Sequence, residues 1–324
     1  MKPVRNLDDL LALGSGYQKS MILLCSVRLG VFRGLADGPL DASSLAQKIG
    51  ADPLRLGILL DALALLELIH KTGGRYRLSG AARQFLLPGV RSQESILLHV
   101  MNCWSAWENL EGKIRRGRKN PGSKSEYQEN FVRGMGERSR ERAHATVRKF
   151  PLKDGERLLD LGGGPGMYAA AWAKAYPGAE IFLFDLPETL RVTRKIIAED
   201  GNVGRVRLLR GDFLKDSIGG PYNFVWISQI LHAFSEKDCI GLLGKARDAL
   251  LPGGKAAVHE FMVSEKKTSP PGPVFFSVHM VAVTEGGRTY TAKEIAAMMK
   301  KAGFCNIRTF PPDRDGVGIM QGAR

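Results

Sequence analysis

The eight residues Leu159-Asp160-Leu161-Gly162-Gly163-Gly164-Pro165-Gly166 constrain this chain more than any other stretch. They close an apolar strand pattern (Arg157 to Leu161) and open an alanine-rich helical segment from Met167 to Ala175. A strand, a glycine turn and a helix in that order let a ligand press against bare backbone, because glycine lacks a Cβ and accepts positive φ. The helix start adds unpaired N–H donors and a partial positive charge. The next strand pattern, Ile181 to Phe184, ends in Asp185, 19 residues after Gly166. That spacing sets a carboxylate beside the turn, where it accepts hydrogen bonds from a ribose diol.

Two nucleotide classes compete for such a turn. Dinucleotide enzymes favour Gly-x-Gly-x-x-Gly, with a pyrophosphate on the helix start. Here Asp160 precedes the glycines and Pro165-Gly166 follows them. An acid in that place repels a pyrophosphate and suits an ammonium. S-adenosylmethionine has an ammonium, a ribose diol and no phosphate, so the turn favours it. The plain alternative is a glycine turn that only permits close strand–helix packing.

At 324 residues the chain forms one large or two ordinary domains. The polar segment Met1 to Asp9 does not read as a signal peptide, and no consecutive apolar run reaches about 18 residues. Cys25, Cys103, Cys239 and Cys305 are scattered, with no CxxC pair and no histidine cluster. They read as reduced thiols of a cytoplasmic protein, with neither disulfides nor a zinc site. The net charge of +14 is concentrated in the first 150 residues, which carry +10 of it. The densest run, Lys113 to Lys119, has no interleaved aromatic residue, so single-stranded nucleic acid is not expected on it; it reads as a solvated helix end.

The first hundred residues read as short helices and a hairpin. Met21 to Leu35 has helical periodicity, and Asp41 to Ile49 begins with capping residues. Asp52-Pro53 is an N-cap followed by proline at the first helical position, opening a helix to about Leu68. Gly73-Gly74 separates two strand-like runs, a two-residue hairpin signal. That order is a winged helix, a fold associated with DNA. The would-be recognition helix, Pro53 to Leu68, offers one arginine and two acids among many leucines. A helix in the major groove needs polar and basic residues, so this one is expected to be buried on most sides. The module at residues 1–98 therefore reads as a dimerisation domain serving a homodimer.

Residues 99–324 read as an α/β domain, with a helical linker over 99–150. Strand patterns at Arg157–Leu161, Ile181–Phe184, Arg205–Arg210, Tyr222–Ser228 and Lys255–Glu260 alternate with helices. One helix starts at Ser235 with Asp238 three residues on and stops at Pro252-Gly253-Gly254; another starts at Thr291-x-x-Glu294. Such alternation means a doubly wound, Rossmann-like parallel sheet with ligands at the carboxyl ends of its strands. Asp160, Asp185, Asp212, Ser228 with His232, and Glu260 all fall at those ends.

The chain resembles the S-adenosylmethionine-dependent O-methyltransferases of the plant caffeic-acid and acetylserotonin type, in their bacterial small-molecule branch. The resemblance covers nearly the whole chain. It is carried by Leu159–Gly164, Asp185-Leu186-Pro187, Gly211-Asp212-Phe213, Ile230-Leu231-His232-Ala233-Phe234-Ser235, Leu251–Gly254 and Ala302-Gly303-Phe304. It implies that Asp160 with Gly162, Gly163 and Gly164 meets the methionine part of the cofactor, that Asp185 is the ribose acceptor, and that Leu186 beside it also binds the cofactor. It implies adenine contacts from Asp212 and Phe213, and a cofactor-side place for Ser228. The catalytic histidine falls on His232 and its orienting acid on Glu260; no metal is implied. His259 is expected on the opposite strand face, in a structural role.

Histidine suits proton abstraction because its pKa lies near working pH. A carboxylate on the other ring nitrogen fixes the tautomer. Where relatives continue the histidine with Asp-Trp, this chain has Ala233-Phe234. Where they carry an acid–arginine pair before the last helix, it has Thr289-Tyr290, with Glu285 on the other side of the glycines. The resemblance also places Phe131 and Met135 in the acceptor pocket, with Phe275, Phe276, His279 and Met280 as a second lining. The expected reaction is methyl transfer to a hydroxyl of a small apolar or aromatic metabolite. C-methylation of a large cyclic acceptor, and a non-enzymatic regulator that senses the cofactor, are the alternatives.

Overall fold

The computed structural model describes residues 3–89, 91–116, 125–202, 204–265, 267, 269–313 and 315–324. The chain divides into two compact units, Met1–Asn102 and Cys103–Arg324.

The first unit is helical with a small sheet. Strands β1 (Leu40–Asp41), β2 (Ile69–Thr72) and β3 (Arg75–Leu78) run antiparallel in the order β1-β3-β2. Gly73 and Gly74, both at positive φ, make the tight β2–β3 turn. Asp41 caps the helix Ala42–Ile49 by accepting the Ser44 N–H at 2.8 Å. Val31, Phe32, Leu35, Leu45, Leu60, Leu63 and Ile69 form the core.

The helix opened by Pro53 ends at Leu65, three residues earlier than expected. Leu56, Leu60 and Leu63 are buried, but Leu65 is 85% exposed, so the helix is not covered on most sides within its own unit. The side chain of Arg55, its single arginine, lies outside the described residues. Leu7–Arg28 is, by length and composition, the one stretch among the described residues apolar enough to cross a membrane. It passes on averaged hydropathy, not on a consecutive apolar run, and is divided into the helices Leu7–Gly14 and Tyr17–Arg28.

The second unit is built on eight strands: β4 (Arg157–Leu161), β5 (Glu180–Asp185), β6 (Val206–Arg210), β7 (Tyr222–Ser228), β8 (Leu250–Val263), β9 (Tyr290–Thr291), β10 (Cys305–Phe310) and β11 (Val317–Ala323). Their order is β10-β11-β8-β7-β4-β5-β6, with β9 beside β8. All pairs are parallel except β8–β11 and β11–β10. The chain winds outward from β4 through β5 to β6, then crosses to β7 on the other side of β4. That reversal makes a crevice at the carboxyl ends of β4 and β7.

Both sides of the sheet are covered, as the near-continuous apolar strands require. Trp172, Phe224 and Trp226 lie in the core on one side, Tyr222, Leu243 and Met299 on the other. The helix from Ser235 ends at Asp248, and β8 extends past Lys255–Glu260 in both directions. Leu250 already pairs with Tyr222, and a register shift between Tyr222 and Phe224 absorbs the Pro252–Gly254 turn. Thr291 and Glu294 form a reciprocal capping box on the helix Ala292–Lys301.

Candidate active site

Asp160, one residue before the end of β4, is a buried acid. Its Oδ2 accepts the Ala169 N–H at 3.2 Å, while Oδ1 is buried without a partner. Burial pushes its pKa up to about 7; the Ala169 bond opposes this and nearby Asp185 adds to it. An orphaned carboxylate oxygen in a crevice lacks a donor, and an ammonium supplies one.

The turn after Asp160 has no room for side chains. Gly162 sits at φ +70, and a Cβ there would lie 2.5 Å from Ile230 Cδ1 and 3.4 Å from Phe213 Cε1. A Cβ on Gly163 would lie 2.8 Å from the Asp160 carboxylate. Phe213 therefore leans over the glycine turn, edge-on to Phe234 at 5.7 Å between centroids.

Asp185 closes the turn from β5. Its Oδ2 accepts the Gly164 N–H at 2.8 Å and its Oδ1 the Leu186 N–H at 2.7 Å. Burial raises its pKa, and those two bonds hold it down. Thr193, buried in the following helix, donates to the Gly164 carbonyl at 2.5 Å and locks the turn from behind. Sequence reading missed Thr193 because nothing local marks it. Asp212, after β6, pairs with Lys215 at 2.9 Å, which lowers its pKa, and accepts the Leu214 N–H at 3.0 Å. It shapes the loop that presents Phe213.

His232 lies in the short helical turn Leu231–Ala233 after β7, and Glu260 lies on β8. The Nδ1 atom is 2.7 Å from Glu260 Oε1, and Oε2 accepts the His232 backbone N–H at 3.4 Å. Glu260 is fully buried, and its Oε1 also accepts the Phe261 N–H at 2.8 Å. A carboxylate only accepts, so Nδ1 carries the proton and Nε2 is left as a lone-pair acceptor. Phe276 stands edge-on to the imidazole at 4.8 Å between centroids.

His259, one residue before Glu260, faces the other way. Its Nδ1 is 2.8 Å from Ser228 Oγ and its ring stacks on Trp226 at 5.3 Å. Burial lowers its pKa to about 3, with Arg142 acting in the same direction, so it is neutral. Ser228 is thus occupied with His259, and Tyr168 OH lies 3.5 Å from the same nitrogen.

Neither expected stand-in for a second acid bonds to His232. Thr289 is buried and donates to the Pro273 carbonyl at 3.3 Å, while Glu285 is exposed. Tyr290 acts instead through backbone: its hydroxyl donates to the Phe234 carbonyl at 2.7 Å and ties down the turn that holds His232. A Cβ on Gly287 would meet the His232 carbonyl oxygen, so this glycine lets the loop press on the same turn.

Phe131 and Met135 lie on the helix Ser125–Val147, which crosses the glycine turn at Gly136, where a Cβ would sit 3.3 Å from Pro165. Phe131 is exposed and Met135 half-buried. Phe276 and His279 share the helix Pro271–Val283; the Phe275 side chain lies outside the described residues, and Met280 is buried. In the basic run, Arg115 pairs with Glu111 as a solvated helix would. Lys113, expected to be solvated, is buried with no partner for its Nζ, and 117–119 lie outside the described residues.

A doubly wound sheet carrying this turn and this histidine–carboxylate pair at its switch point belongs to the α/β methyltransferase class. Residues 119–305 match the model of the O-methyltransferase domain, and residues 11–88 that of the O-methyltransferase dimerisation domain. Acetylserotonin O-methyltransferase of Mus musculus is 30% identical over 347 aligned positions, covering 99% of this chain and 89% of that one. 3-Hydroxy-5-methyl-1-naphthoate 3-O-methyltransferase of Streptomyces sahachiroi is 27% identical, covering 96% and 94%. The structure of human N-acetylserotonin methyltransferase in complex with SAM superposes with a TM-score of 0.86 at 23% identity, over 100% and 99% of the two chains, a likeness of fold. The chain belongs to the O-methyltransferase family, whose methyl donor is S-adenosylmethionine.

Proposed function

We propose that the protein transfers a methyl group from S-adenosylmethionine to a hydroxyl of a small apolar or aromatic metabolite, with His232 as general base and Glu260 orienting it. The observation that carries this is the 2.7 Å contact between His232 Nδ1 and the buried Glu260, at the sheet reversal beside the glycine turn.

The residues fit the donor. The orphaned Asp160 Oδ1 answers its ammonium, Asp185 with neighbouring Leu186 its ribose, and Asp212 and Phe213 its adenine; Gly162–Gly164 leave the space a side chain would fill. When bound, the donor supplies an already activated methyl group on a sulfonium. The chain has to hold a hydroxyl in line and take its proton. His232 Nε2 takes that proton, and Glu260 stabilises the resulting imidazolium. Phe131, Met135, Phe276 and His279 are the proposed acceptor lining, and Ser228 the proposed cofactor-side hydroxyl.

We read residues 1–98 as the dimerisation domain and 99–324 as the catalytic one, in a homodimer. Support comes from the match to the dimerisation model and from the exposed Leu7, Leu10, Leu11, Leu13 and Tyr17. The four free cysteines support a cytoplasmic site of action. The test is incubation with tritium-labelled S-adenosylmethionine and a panel of phenols and alcohols. Wild type should yield extractable labelled product and His232→Asn almost none, with S-adenosylhomocysteine affinity unchanged. Equal labelling by both proteins sinks the role of His232.

A further inference from the structure

The loop that presents Phe213 satisfies most of its own amides. Asp216 Oδ2 accepts the Asp212 N–H at 2.8 Å, and Asp212 Oδ1 accepts the Leu214 N–H at 3.0 Å. The Asp212 carbonyl accepts the Lys215 and Asp216 N–H groups at 2.9 and 2.7 Å. Three carbonyls of the same loop converge on one side chain from elsewhere in the chain. Lys245 Nζ donates to the carbonyls of Phe213, Leu214 and Asp216 at 2.9, 2.9 and 3.1 Å. An ammonium has three N–H donors, so this loop takes all of them.

Lys245 lies in the last turn of the helix Glu236–Asp248. A lysine there ordinarily serves the free carbonyls of its own helix end; this one spends its donors on the Phe213 loop instead. The same helix is capped at its start by Ser235, next to Phe234, and Phe234 meets Phe213 edge-on. The loop is therefore held twice: through the Phe213 ring by the turn that carries His232, and through its backbone by the far end of the helix that follows that turn. The carboxyl of Asp212 is kept low chiefly by Lys215, with the Leu214 N–H and the Lys245 charge adding to it and burial opposing. It stands beside Phe213 as a charged acceptor.

We propose that Lys245 is a positioning residue for the methyl donor, its three hydrogen bonds fixing the Asp212–Phe213 pair where it selects adenine over other bases. This rests on the reading of Asp212 and Phe213 as the adenine contacts. Carbonyls on an outer loop are served nearly as well by water, so the ammonium contributes little to stability and much to placement. Phe213 covers the base without telling one purine from another. Discrimination comes from the Asp212 carboxylate, which accepts from an amine and repels a carbonyl, and only at the distance the loop sets.

The test is calorimetric titration of the intact protein with S-adenosylhomocysteine and with S-inosylhomocysteine, in which a carbonyl replaces the adenine amine. Wild type should bind the adenosine compound about tenfold or more tightly. Lys245→Met keeps the apolar stem and removes the ammonium; it should weaken S-adenosylhomocysteine about tenfold and bring the two compounds close to equal. Lys245→Arg should fall between that variant and wild type, because a planar guanidinium donates but does not gather three carbonyls at one point. A purely structural lysine would weaken both compounds alike or neither, and each of those results overturns the proposal, as does a wild type without preference. If Lys245→Met does not fold, Lys245→Arg decides, and a preference equal to that of wild type overturns the proposal. Asp212→Asn separates the two readings, since it should erase or reverse the preference. A preference that survives Asp212→Asn and is lost in Lys245→Met removes the adenine reading of Asp212 alone.

Discussion

Glu260 touches His232 twice, through the imidazole Nδ1 at 2.7 Å and through the backbone N–H at 3.4 Å. One buried carboxylate thus sets both the tautomer of the ring and the position of the turn that carries it. Glu260→Gln keeps the volume but offers an N–H where an acceptor is required. It should lower single-turnover methyl transfer by about 10²–10⁴-fold, the range for losing general-base function. S-adenosylhomocysteine affinity, measured by calorimetry, should change little; a comparable loss in affinity would mean that Glu260 supports the cofactor site instead.

Asp160 makes cofactor binding pH-dependent. Its pKa of about 7 in the free protein means that it is mostly protonated at pH 6 and mostly charged at pH 8. An ammonium beside Oδ1 favours the charged form, so affinity for S-adenosylhomocysteine should rise about tenfold from pH 6 to pH 8. Asp160→Asn should flatten that dependence. A tenfold rise that survives in the variant assigns it to another group.

The same carboxyl shapes the stability of the ligand-free protein. Between its unfolded value of 3.8 and its folded value of about 7, the native state holds a proton that the unfolded state has lost. Its contribution therefore makes stability fall as pH rises through that window. Denaturant melts of wild type and Asp160→Asn at pH 5 and pH 8 should diverge, with the variant gaining relative to wild type at pH 8. Parallel behaviour would show that Asp160 is solvated.

Tyr290 is fully buried and its hydroxyl serves the Phe234 carbonyl at 2.7 Å. Tyr290→Phe leaves that carbonyl short of a donor and should cost about 1–3 kcal/mol of stability. Because the bond fixes the turn holding His232, kcat should fall more than acceptor KM rises. In a His232→Asn background the extra loss in kcat should vanish. A loss that persists there points to a purely structural effect.

Gly163 packs against the Asp160 side chain, and its missing Cβ would lie 2.7 Å from Leu183 Cγ as well. Gly163→Ala should cost about 1–3 kcal/mol in thermal melts, as overpacking does, and weaken S-adenosylhomocysteine binding with it. Unchanged binding would show that the turn has slack.

The elements that sequence reading recovered are those whose cause is local. The glycine turn, the Ser235 and Thr291 caps, the Gly73-Gly74 hairpin and the alternation of strand and helix each depend on a few consecutive residues. The register of β8 was not legible beyond Lys255–Glu260, because Leu250 joins the sheet only by meeting Tyr222, 28 positions earlier. Burial of Lys113, the exposure of Leu65 and the orphaned oxygen of Asp160 are products of packing between distant segments. The buttress from Tyr290 to the His232 turn spans 56 positions, and no spacing rule could announce it.

The most direct measurement compares wild type with His232→Asn on two phenolic acceptors of matched size, one of ordinary acidity and one carrying a nitro group, both assayed at a mildly alkaline pH where only the nitrophenol is ionised. If His232 takes the proton, the variant should lose about 10²–10⁴-fold on the ordinary phenol and far less on the ionised one, which needs no base. Equal losses on both acceptors would contradict the account and leave His232 as a positioning residue.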